Sequence, residues 1–579
     1  MRDWLIGFAL TAVAACCAQP NIVVLLADDQ GWGDLGYHGH PTIRTPALDS
    51  LAHDGAHFER FYVQPVCAPT RAEFLTGRQA PRTGVIDVSE GAERLALREH
   101  TIADVFRAAG YATGCFGKWH NGSQHPYHPN TRGFDEFYGF TSGHWGSYFD
   151  ATMDHNGELV TGSGYLADDI TDHTLAFMAA QTEAGRPFLA YLAFNTPHAP
   201  MQVPDANWND WADRDIPAEH RYSAREEREH TRAALAMVEN LDANAGRVLA
   251  ELERLGIADN TIVVYFTDNG PNGWRWNGDL KGRKASTDEG GVRSPLFVRW
   301  PGHIPPRTTV TPLASAVDLL PTLAELAAVD LHPPLPLDGA SYAAVLTGTG
   351  DAPAPRPVFT SWRGAVSVRT QRFMLDAKGN LYDLAADIRQ TEVVTDQHPA
   401  VAARLQQVVA AWREDIAATA APAIPAIPVG HPAAAVTYLP ARDAVLHGGL
   451  KRSNQYPNDS YVLNWRSTVD KLTWDIEVIE PDRFAVTIHY TARTPGAMLE
   501  LTMNDAKSSG RIPTAWDPLE TGMEHDRVPR AESYVKDFRA FSLGEIDLHR
   551  GPGKLTLTAP NFPGETALDF KRISLRRVN

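Results

Sequence analysis

Cysteine is scarce in this sequence of 579 residues. Only four cysteines are present, and two of them, Cys16 and Cys17, lie in an apolar stretch near the N-terminus. The body of the chain keeps Cys67 and Cys115, so a framework of disulfides does not hold it together. Cys115 lies in an apolar segment and is interpreted as a core residue. Cys67 requires a different explanation.

The sequence also lacks an excess of positive charge. Its 53 lysines and arginines are outnumbered by 70 aspartates and glutamates, which gives a net charge of −17. This balance argues against binding of nucleic acids, and an anionic substrate would need a local basic pocket. The patterns G-x-S-x-G and H-E-x-x-H are absent, so the common signatures of serine hydrolases and zinc peptidases are missing.

No apolar run is long enough to span a membrane as a permanent helix. The apolar residues 4–15 follow Arg2, and this pattern predicts a signal peptide over residues 1–18. Two endings stay open: a lipobox-like sequence would leave a lipid anchor on Cys16, whereas cleavage after Ala18 would release a soluble chain. We therefore expect an exported protein that is periplasmic, secreted or anchored to the membrane as a lipoprotein.

The first large segment alternates strand and helix patterns. Short unbroken apolar runs at 22–26, 188–194 and 262–266 are typical of strands buried on both faces. Apolar residues recur at helical spacing over 232–255. This alternation predicts an α/β domain over residues 19–335.

Three further segments follow. Residues 336–417 predict a small α+β subdomain that closes with a helix, and residues 418–436 have the alanine- and proline-rich composition of a linker. Residues 437–579 contain short strand patterns separated by turn signals, which predicts an all-β sandwich. This module is similar to carbohydrate-binding modules in outline only.

Carboxylates follow two of the predicted buried strands. Asp28 and Asp29 end the first, and Asp268 and Asn269 end the one at 262–266. Ligands of open α/β sheets bind at the carboxyl ends of strands, and buried carboxylates need a compensating cation. Either pair alone would be interpreted as a turn cap, but two matching strand ends favour an all-oxygen site for Ca²⁺ or Mg²⁺.

Cys67 lies four residues before Arg71, which would favour a thiolate and leaves an ordinary cysteine nucleophile open. The C-x₅-R spacing of tyrosine phosphatases fails because Glu73 occupies the arginine position. Several motifs instead occur in order along the chain: C-A-P-T-R at 67–71 with L-T-G-R at 75–78, G-Y-A-T at 110–113, G-K-W-H at 117–120, N-T-P-H at 195–198, and K-A-S-T-D-E-G-G at 284–291.

Over about residues 20–417 the chain resembles the type I, formylglycine-dependent sulfatases, an arylsulfatase-like family with the alkaline phosphatase fold. The resemblance implies a mixed central sheet flanked by helices. It also implies that a maturation enzyme oxidises Cys67 to formylglycine. One calcium ion would then be bound by the modified Cys67 and by the residues at the two strand ends, Asp28, Asp29, Asp268 and Asn269.

The resemblance also implies roles for the remaining motif residues. Formylglycine would be hydrated, and Asp268 would help deprotonate the hydroxyl group that attacks sulfur. The cationic side chains of Arg71, Lys118 and Lys284 would neutralise the sulfate oxygens. His198, with Lys284, would protonate the leaving alcohol, and His120 would remove the second hydroxyl proton so that sulfate leaves.

The expected substrate is a sulfated carbohydrate. His144 and Trp145, and the segment 274–276 with two tryptophans and Arg275, lie in predicted loops near the strand ends and could contact a sugar. Two alternatives stay open. One is a phosphonate or phosphodiester hydrolase of the same superfamily, and the other is a non-catalytic carbohydrate-binding protein.

Overall fold

The computed structural model describes residues 19–217, 219–422 and 424–578. The predicted signal peptide and the alternative lipid anchor at Cys16 concern residues 1–18, which lie outside these ranges. Among the described helices, none is long and apolar enough to cross a bilayer. Cys67 and Cys115 are both buried and unbridged.

A mixed sheet forms the centre of the molecule. Strand Asn21–Ala27 is parallel to both of its neighbours, Phe188–Ala193 and Thr261–Thr267, whereas Leu296–Arg299 runs antiparallel to Thr261–Thr267. The predicted α/β class with a mixed central sheet is confirmed. In spatial order the ten strands described are Thr308–Val310, Ala56–Phe58, Leu296–Arg299, Thr261–Thr267, Asn21–Ala27, Phe188–Ala193, Ala112–Lys118, Glu136–Phe140, Thr152–His155 and Glu158–Thr161.

Helices cover both faces of this sheet, which explains why its central strand is an unbroken apolar run. Val23 and Leu25 point to a core shared with helix Arg228–Arg254, and Ile22 and Val24 point to a core shared with helix Leu319–Leu326. The other described helices are Pro46–His53, Cys67–Thr76, Ile102–Ala108, Leu166–Glu183, Asp205–Asp210, Glu289–Val292, Ala343–Thr347 and Pro399–Thr419.

Two smaller sheets adjoin the central domain. A three-stranded sheet contains Arg293–Ser294, Phe61–Tyr62 and Ala314–Ser315. An antiparallel four-stranded sheet packs against helix Pro399–Thr419 through Val368, Leu375 and Leu405. Its strands are Val358–Trp362, Ala365–Arg369, Phe373–Leu375 and Leu381–Asp383.

The C-terminal part is a β-sandwich with its own apolar core. One sheet contains Ile427–Val429, Val445–His447, Lys471–Val478, Met498–Met503, Ala506–Arg511 and Gly551–Asn561. The other contains Val436–Pro440, Lys451–Arg452, Val462–Leu463, Asp482–Thr491, Arg539–Leu548 and Asp569–Arg577.

The sandwich begins earlier than its composition suggested. Ile427 and Val429 lie in the segment expected to be a linker, yet both side chains are buried in the sandwich core. Their strand pairs in parallel with Lys471–Val478. A three-residue strand between prolines and alanines is too short to give a periodic signal, so composition dominated the sequence pattern.

Candidate active site

Two adjacent strand ends bring four polar residues together. Strands Asn21–Ala27 and Thr261–Thr267 are paired in parallel up to Ala27 and Thr267, so the residues that follow them meet at one edge of the sheet. The backbone N–H of Asp29 donates to Oδ1 of Asp268 at 3.2 Å, and Nδ2 of Asn269 donates to Oδ1 of Asp29 at 2.8 Å. Asp28, Asp29, Asp268 and Asn269 are all fully buried.

Two residues of this region have a left-handed backbone. Asp29 has φ +64° and His120 has φ +63°, values that residues other than glycine adopt rarely. Such conformations cost free energy and persist where the surrounding contacts enforce them, commonly at functional sites. The strained residues follow strands Asn21–Ala27 and Ala112–Lys118. At these positions the contacts that orient the side chains compensate for the cost of the unfavourable backbone conformation.

Cys67 is the first residue of helix Cys67–Thr76 and points into this cluster. Its Sγ lies within 4.8 Å of ligand atoms of Asp28, Asp29 and His198. Thr70 fixes the helix beside the strand end, because its Oγ1 donates to the carbonyl of Asp268 at 2.6 Å and accepts from the N–H of Gln64 at 2.8 Å. The sequence analysis did not assign this role to Thr70.

Burial raises the pKa of the Cys67 thiol, and the positive charges of Lys118 and Lys284 do not offset it. The thiol is therefore protonated at neutral pH. A thiolate is the nucleophilic form of cysteine. The ordinary cysteine nucleophile that the nearby arginine left open is disfavoured by this environment.

Three cations face the three carboxylates. Arg71 donates to Oδ2 of Asp268 and, through Nη1, to the carbonyl of Lys118 at 2.7 Å. Nζ of Lys118 lies 2.5 Å from Oδ2 of Asp28, and Nζ of Lys284 lies 2.6 Å from Oδ1 of Asp29. The predicted basic residues are thus assembled around the predicted metal ligands.

Two oxygens of the cluster that have no hydrogen-bond partner indicate where a cation could bind. Oδ1 of Asp28 and Oδ1 of Asn269 are buried and have no hydrogen-bond partner. Buried acceptors without partners are rare in folded proteins, and a bound ion is a standard explanation. Carboxylate and amide oxygens are the ligands of hard cations such as Ca²⁺, so the donor set fits the predicted metal.

The carboxylates of the cluster differ in proton affinity. Burial and the charge of Asp28 raise the pKa of Asp268 to about 6, against the opposing effect of Arg71. For Asp29 burial acts in the same direction, but Lys284 and then His198 outweigh it and hold the pKa well below its usual range. The surroundings therefore shift the pKa values of Asp268 and Asp29 in opposite directions.

Two histidines lie on different sides of the cluster. Nε2 of His198 is 3.6 Å from Oδ2 of Asp29, and its Nδ1 is 2.6 Å from the carbonyl of Ala199. Nε2 of His120 is 2.9 Å from the carbonyl of Val88, and its Nδ1 has no partner. Burial, followed by Lys284, lowers the pKa of His198 to about 3, and burial lowers that of His120. Both rings are neutral at pH 7.

Three of the loop residues expected to contact a sugar pack against other side chains of the protein. Arg275 is buried in an ion pair with Asp34, with Nη2 2.5 Å from Oδ2, so it stabilises the fold. Trp274 is covered by the guanidinium group of Arg225, 3.8 Å from the ring centre. Trp145 stacks on Phe140.

Trp276 and His144 complete this set. Trp276 packs edge-on against His40, with ring centres 5.2 Å apart. His144 lies beside the cluster, with its ring centre 5.8 Å from that of His198.

One residue beside the cluster comes from the sandwich and was not predicted. Nδ2 of Asn458 donates at 3.1 Å to the carbonyl of Val88, the same oxygen that His120 contacts. A side chain on Gly143 would collide with both His120 and Asn458. No motif surrounds Asn458, and only the packing of the sandwich against the central domain brings it here.

Comparisons with a family model and with curated proteins both identify sulfatases as similar to this chain. A family model described as Sulfatase matches residues 20–329, more than half of the chain. Arylsulfatase A of Homo sapiens is 35% identical over 405 residues, which cover 63% of this chain and 76% of that protein. N-acetylgalactosamine-6-sulfatase of Mus musculus is 34% identical over 364 residues, which cover 56% of this chain and 66% of that protein.

A solved structure agrees with these sequences. The crystal structure of Ps i-CgsB in complex with k-i-k-neocarrahexaose has a TM-score of 0.62 and 27% sequence identity to this chain. The match covers 68% of this chain and 92% of the other.

Proposed function

This chain belongs to the sulfatase family and is a sulfuric ester hydrolase, and on that premise we propose that it releases sulfate from a sulfated carbohydrate by means of a formylglycine made from Cys67 beside a bound calcium ion. The observation that carries the proposal is the position of Cys67. It opens a helix inside a buried cluster of carboxylates and cations, and its Sγ lies within 4.8 Å of ligand atoms of Asp28, Asp29 and His198.

The strand-end oxygens would hold the ion. Asp28 and Asn269 each offer an oxygen without another partner, and Asp29 and Asp268 complete an all-oxygen set together with modified Cys67. Several fixed protein oxygens favour calcium over magnesium, which retains more of its water. When bound, the ion would polarise the sulfate oxygens as a Lewis acid.

Charge balance supports an anionic substrate once a divalent ion is present. The three carboxylates are matched by three cationic side chains, so the protein cluster alone carries no large excess of either charge. A divalent cation makes the site net positive, which favours a sulfate ester and the charge that develops on its oxygens. Lys118 and Lys284 can then turn from the carboxylates toward the substrate.

Formylglycine would supply a hydrated aldehyde, one hydroxyl of which attacks sulfur while the other allows sulfate to leave. Asp268 would accept the first proton, because its carboxylate is close enough to Cys67 for its charge to act on that side chain. Arg71 holds the Asp268 carboxylate in place through two of its nitrogens. Arg71 therefore positions a base rather than contacting sulfate directly.

The two histidines divide the remaining proton transfers. His198 lies beside Lys284 and Asp29, and because its ring is neutral, the ammonium group of Lys284 would supply the proton that His198 relays to the leaving oxygen. His120, next to Lys118 in the chain, would accept the proton whose loss lets sulfate depart. A neutral ring suits His120, which accepts a proton, whereas His198 must itself be protonated before it can donate.

A carbohydrate substrate is supported by the relatives. One of the similar proteins is named N-acetylgalactosamine-6-sulfatase, and another was crystallised with k-i-k-neocarrahexaose. A phosphonate monoester carries the same single charge as a sulfate ester, so charge does not separate the two chemistries. The sulfatase names of relatives at 34–35% identity favour sulfate.

The direct test is a panel of sulfated saccharides, an aryl sulfate and a phosphonate monoester, with release of inorganic sulfate or of the alcohol as readout. We expect sulfate release to exceed phosphonate hydrolysis by orders of magnitude. Efficient phosphonate hydrolysis without sulfate release would replace the proposal by that alternative. We also propose export, on the strength of the signal-peptide pattern in residues 1–18.

A further inference from the structure

A long loop of the sandwich reaches the edge of the candidate active site. Residues 512–538 connect strand Ala506–Arg511 to strand Arg539–Leu548 and contain no regular strand or helix. Loops of this length inside a compact fold are uncommon and usually functional. We refer to residues 512–538 as the docking loop.

The docking loop is held to the central domain by a set of polar contacts. Nε2 of Gln202 donates to the carbonyl of Gly522 at 2.7 Å and to Oδ1 of Asp526 at 2.8 Å. The N–H of Arg527 donates to the carbonyl of Met201 at 2.9 Å. These contacts fix the loop beside His198, only three residues before Met201.

A second anchor places the later part of the docking loop. Nη1 of Arg530 donates to the carbonyl of Gly146 at 2.7 Å. A side chain on Gly146 would lie 2.5 Å from Cγ1 of Val535, so the loop closes directly onto this glycine. In the sequence, Glu532 lies between Arg530 and Val535, the two residues that make these contacts, and His144 is two residues before Gly146.

Glu532 and His144 both carry buried polar atoms that the protein does not satisfy. Oε2 of Glu532 has no hydrogen-bond partner, and neither Nδ1 nor Nε2 of His144 has one. His144 is only 4% exposed. Burial lowers the pKa of His144 to about 4, and the charge of Glu532 is the strongest opposing effect. The charge of Glu532 therefore acts on the His144 ring, yet the two side chains form no hydrogen bond with each other.

Leaving such atoms unpaired costs free energy, so a native site normally provides a partner. The His144 ring lies 5.8 Å from the ring of His198, the proposed proton donor to the leaving alcohol. The unpaired nitrogens of His144 thus lie beside the residue proposed to act on the leaving alcohol. A carboxylate and the unprotonated nitrogen of a neutral imidazole accept hydrogen bonds from neighbouring hydroxyl groups.

We propose that Glu532 of the docking loop and His144 form a specificity-determining wall that binds adjacent hydroxyl groups on the sugar ring of the leaving alcohol. The inference rests on the proposed sulfatase function and deepens it by naming the substrate class. The carboxylate of Glu532 also repels anions. A ring with a second sulfate or a carboxylate at the position facing Glu532 is therefore excluded.

The test compares two substrates in one variant. Glu532→Gln keeps the size of the side chain and removes its charge. Hydrogen bonds to a charged group are worth about 1.5–3 kcal/mol, which corresponds to about 10- to 100-fold. We expect kcat/KM for N-acetylgalactosamine 6-sulfate or a carrageenan oligosaccharide to fall about tenfold or more relative to kcat/KM for 4-nitrophenyl sulfate, which lacks sugar hydroxyls.

Glu524→Gln is the matched control, because Glu524 is an exposed glutamate of the same loop and bonds only the N–H of Gly522 within the described chain. It should alter neither substrate. His144→Gln provides a second variant from the opposite side of the wall and should shift the ratio in the same direction. Thermal unfolding of each variant verifies that the fold is retained.

The outcomes separate this inference from the proposed function. Equal losses on the saccharide and the aryl sulfate, or no loss on the saccharide, would overturn the wall while leaving the sulfatase intact. Wild-type protein that releases sulfate from neither substrate would overturn the proposed function itself, and this inference with it. Relaxed rejection of a disulfated ring by Glu532→Gln would support the charge argument independently.

Discussion

Arg71 holds Asp268 through a buried two-point ion pair: Nε and Nη2 lie 3.0 and 2.8 Å from the same carboxylate oxygen, Oδ2. Both side chains are fully buried. The remaining guanidinium nitrogen, Nη1, is bonded to the carbonyl of Lys118 at 2.7 Å. Every nitrogen of the guanidinium group therefore bonds to the protein, and the pair fixes the orientation of the Asp268 carboxylate.

The first prediction concerns this pair. Arg71→Met should destabilise the calcium-free protein by about 3–5 kcal/mol, because it leaves the buried Asp268 carboxylate without its partner. Saturating calcium should restore part of the loss, since the ion compensates the same charge. Chemical denaturation with and without calcium measures both effects. A variant as stable as the wild type in both conditions would show that the pair does not control Asp268.

The second prediction concerns the metal. Asp28→Asn removes one carboxylate of the proposed site while preserving the size of the side chain, so calcium affinity and sulfate release should fall together. Isothermal titration with calcium provides a readout that does not depend on turnover. Asp34→Asn is unsuitable as a control because Asp34 pairs with Arg275. Asp482→Asn, at the start of a sandwich strand and partly exposed, should change neither quantity. Undiminished activity after exhaustive chelation would remove the metal from the account.

The third prediction concerns Glu73 on the helix that begins at Cys67. Its buried carboxyl accepts from Nε2 of Gln64 at 2.7 Å, and burial raises its pKa from 4.5 to about 8. Between these values the folded state keeps a proton that the unfolded state releases, so stability falls as pH rises through this window.

Glu73→Gln should remove that component. Between about pH 5 and pH 8 the free energy of unfolding of the wild type should fall by about 2 kcal/mol or more relative to the variant, since each pKa unit is worth about 1.4 kcal/mol. Denaturation at the two pH values measures the difference. Parallel pH profiles would show that Glu73 ionises normally in the folded protein.

Much of the central domain follows from sequence patterns. The apolar runs before Asp28 and Asp268 predict adjacent buried strands, and their pairing explains why both strand ends meet. The three cations around the carboxylates come from separate motifs, and those motifs are what made them identifiable before any geometry was known. Local patterns therefore predict the elements, and ordered motifs predict which of them meet.

The sandwich shows where such inference ends. Its strands alternate recognisably, but the docking loop has no periodic pattern, and Glu532 and Asn458 belong to no motif. Their positions depend on long-range contacts such as Gln202 to Asp526, more than 300 residues apart in sequence. Arg275 shows that a local pattern can also mislead. A basic residue between tryptophans suggests sugar binding, but Arg275 is buried against Asp34 and has a structural role.

Cys67 is the residue proposed to become the formylglycine that performs sulfate ester hydrolysis. The most direct test is mass spectrometry of the peptide containing residue 67 in several preparations, each assayed for sulfate release. The account predicts a peptide of lower mass than the cysteine form, turnover proportional to its fraction, and a folded but inactive Cys67→Ala variant. Full activity in a preparation that carries only unmodified cysteine would contradict it.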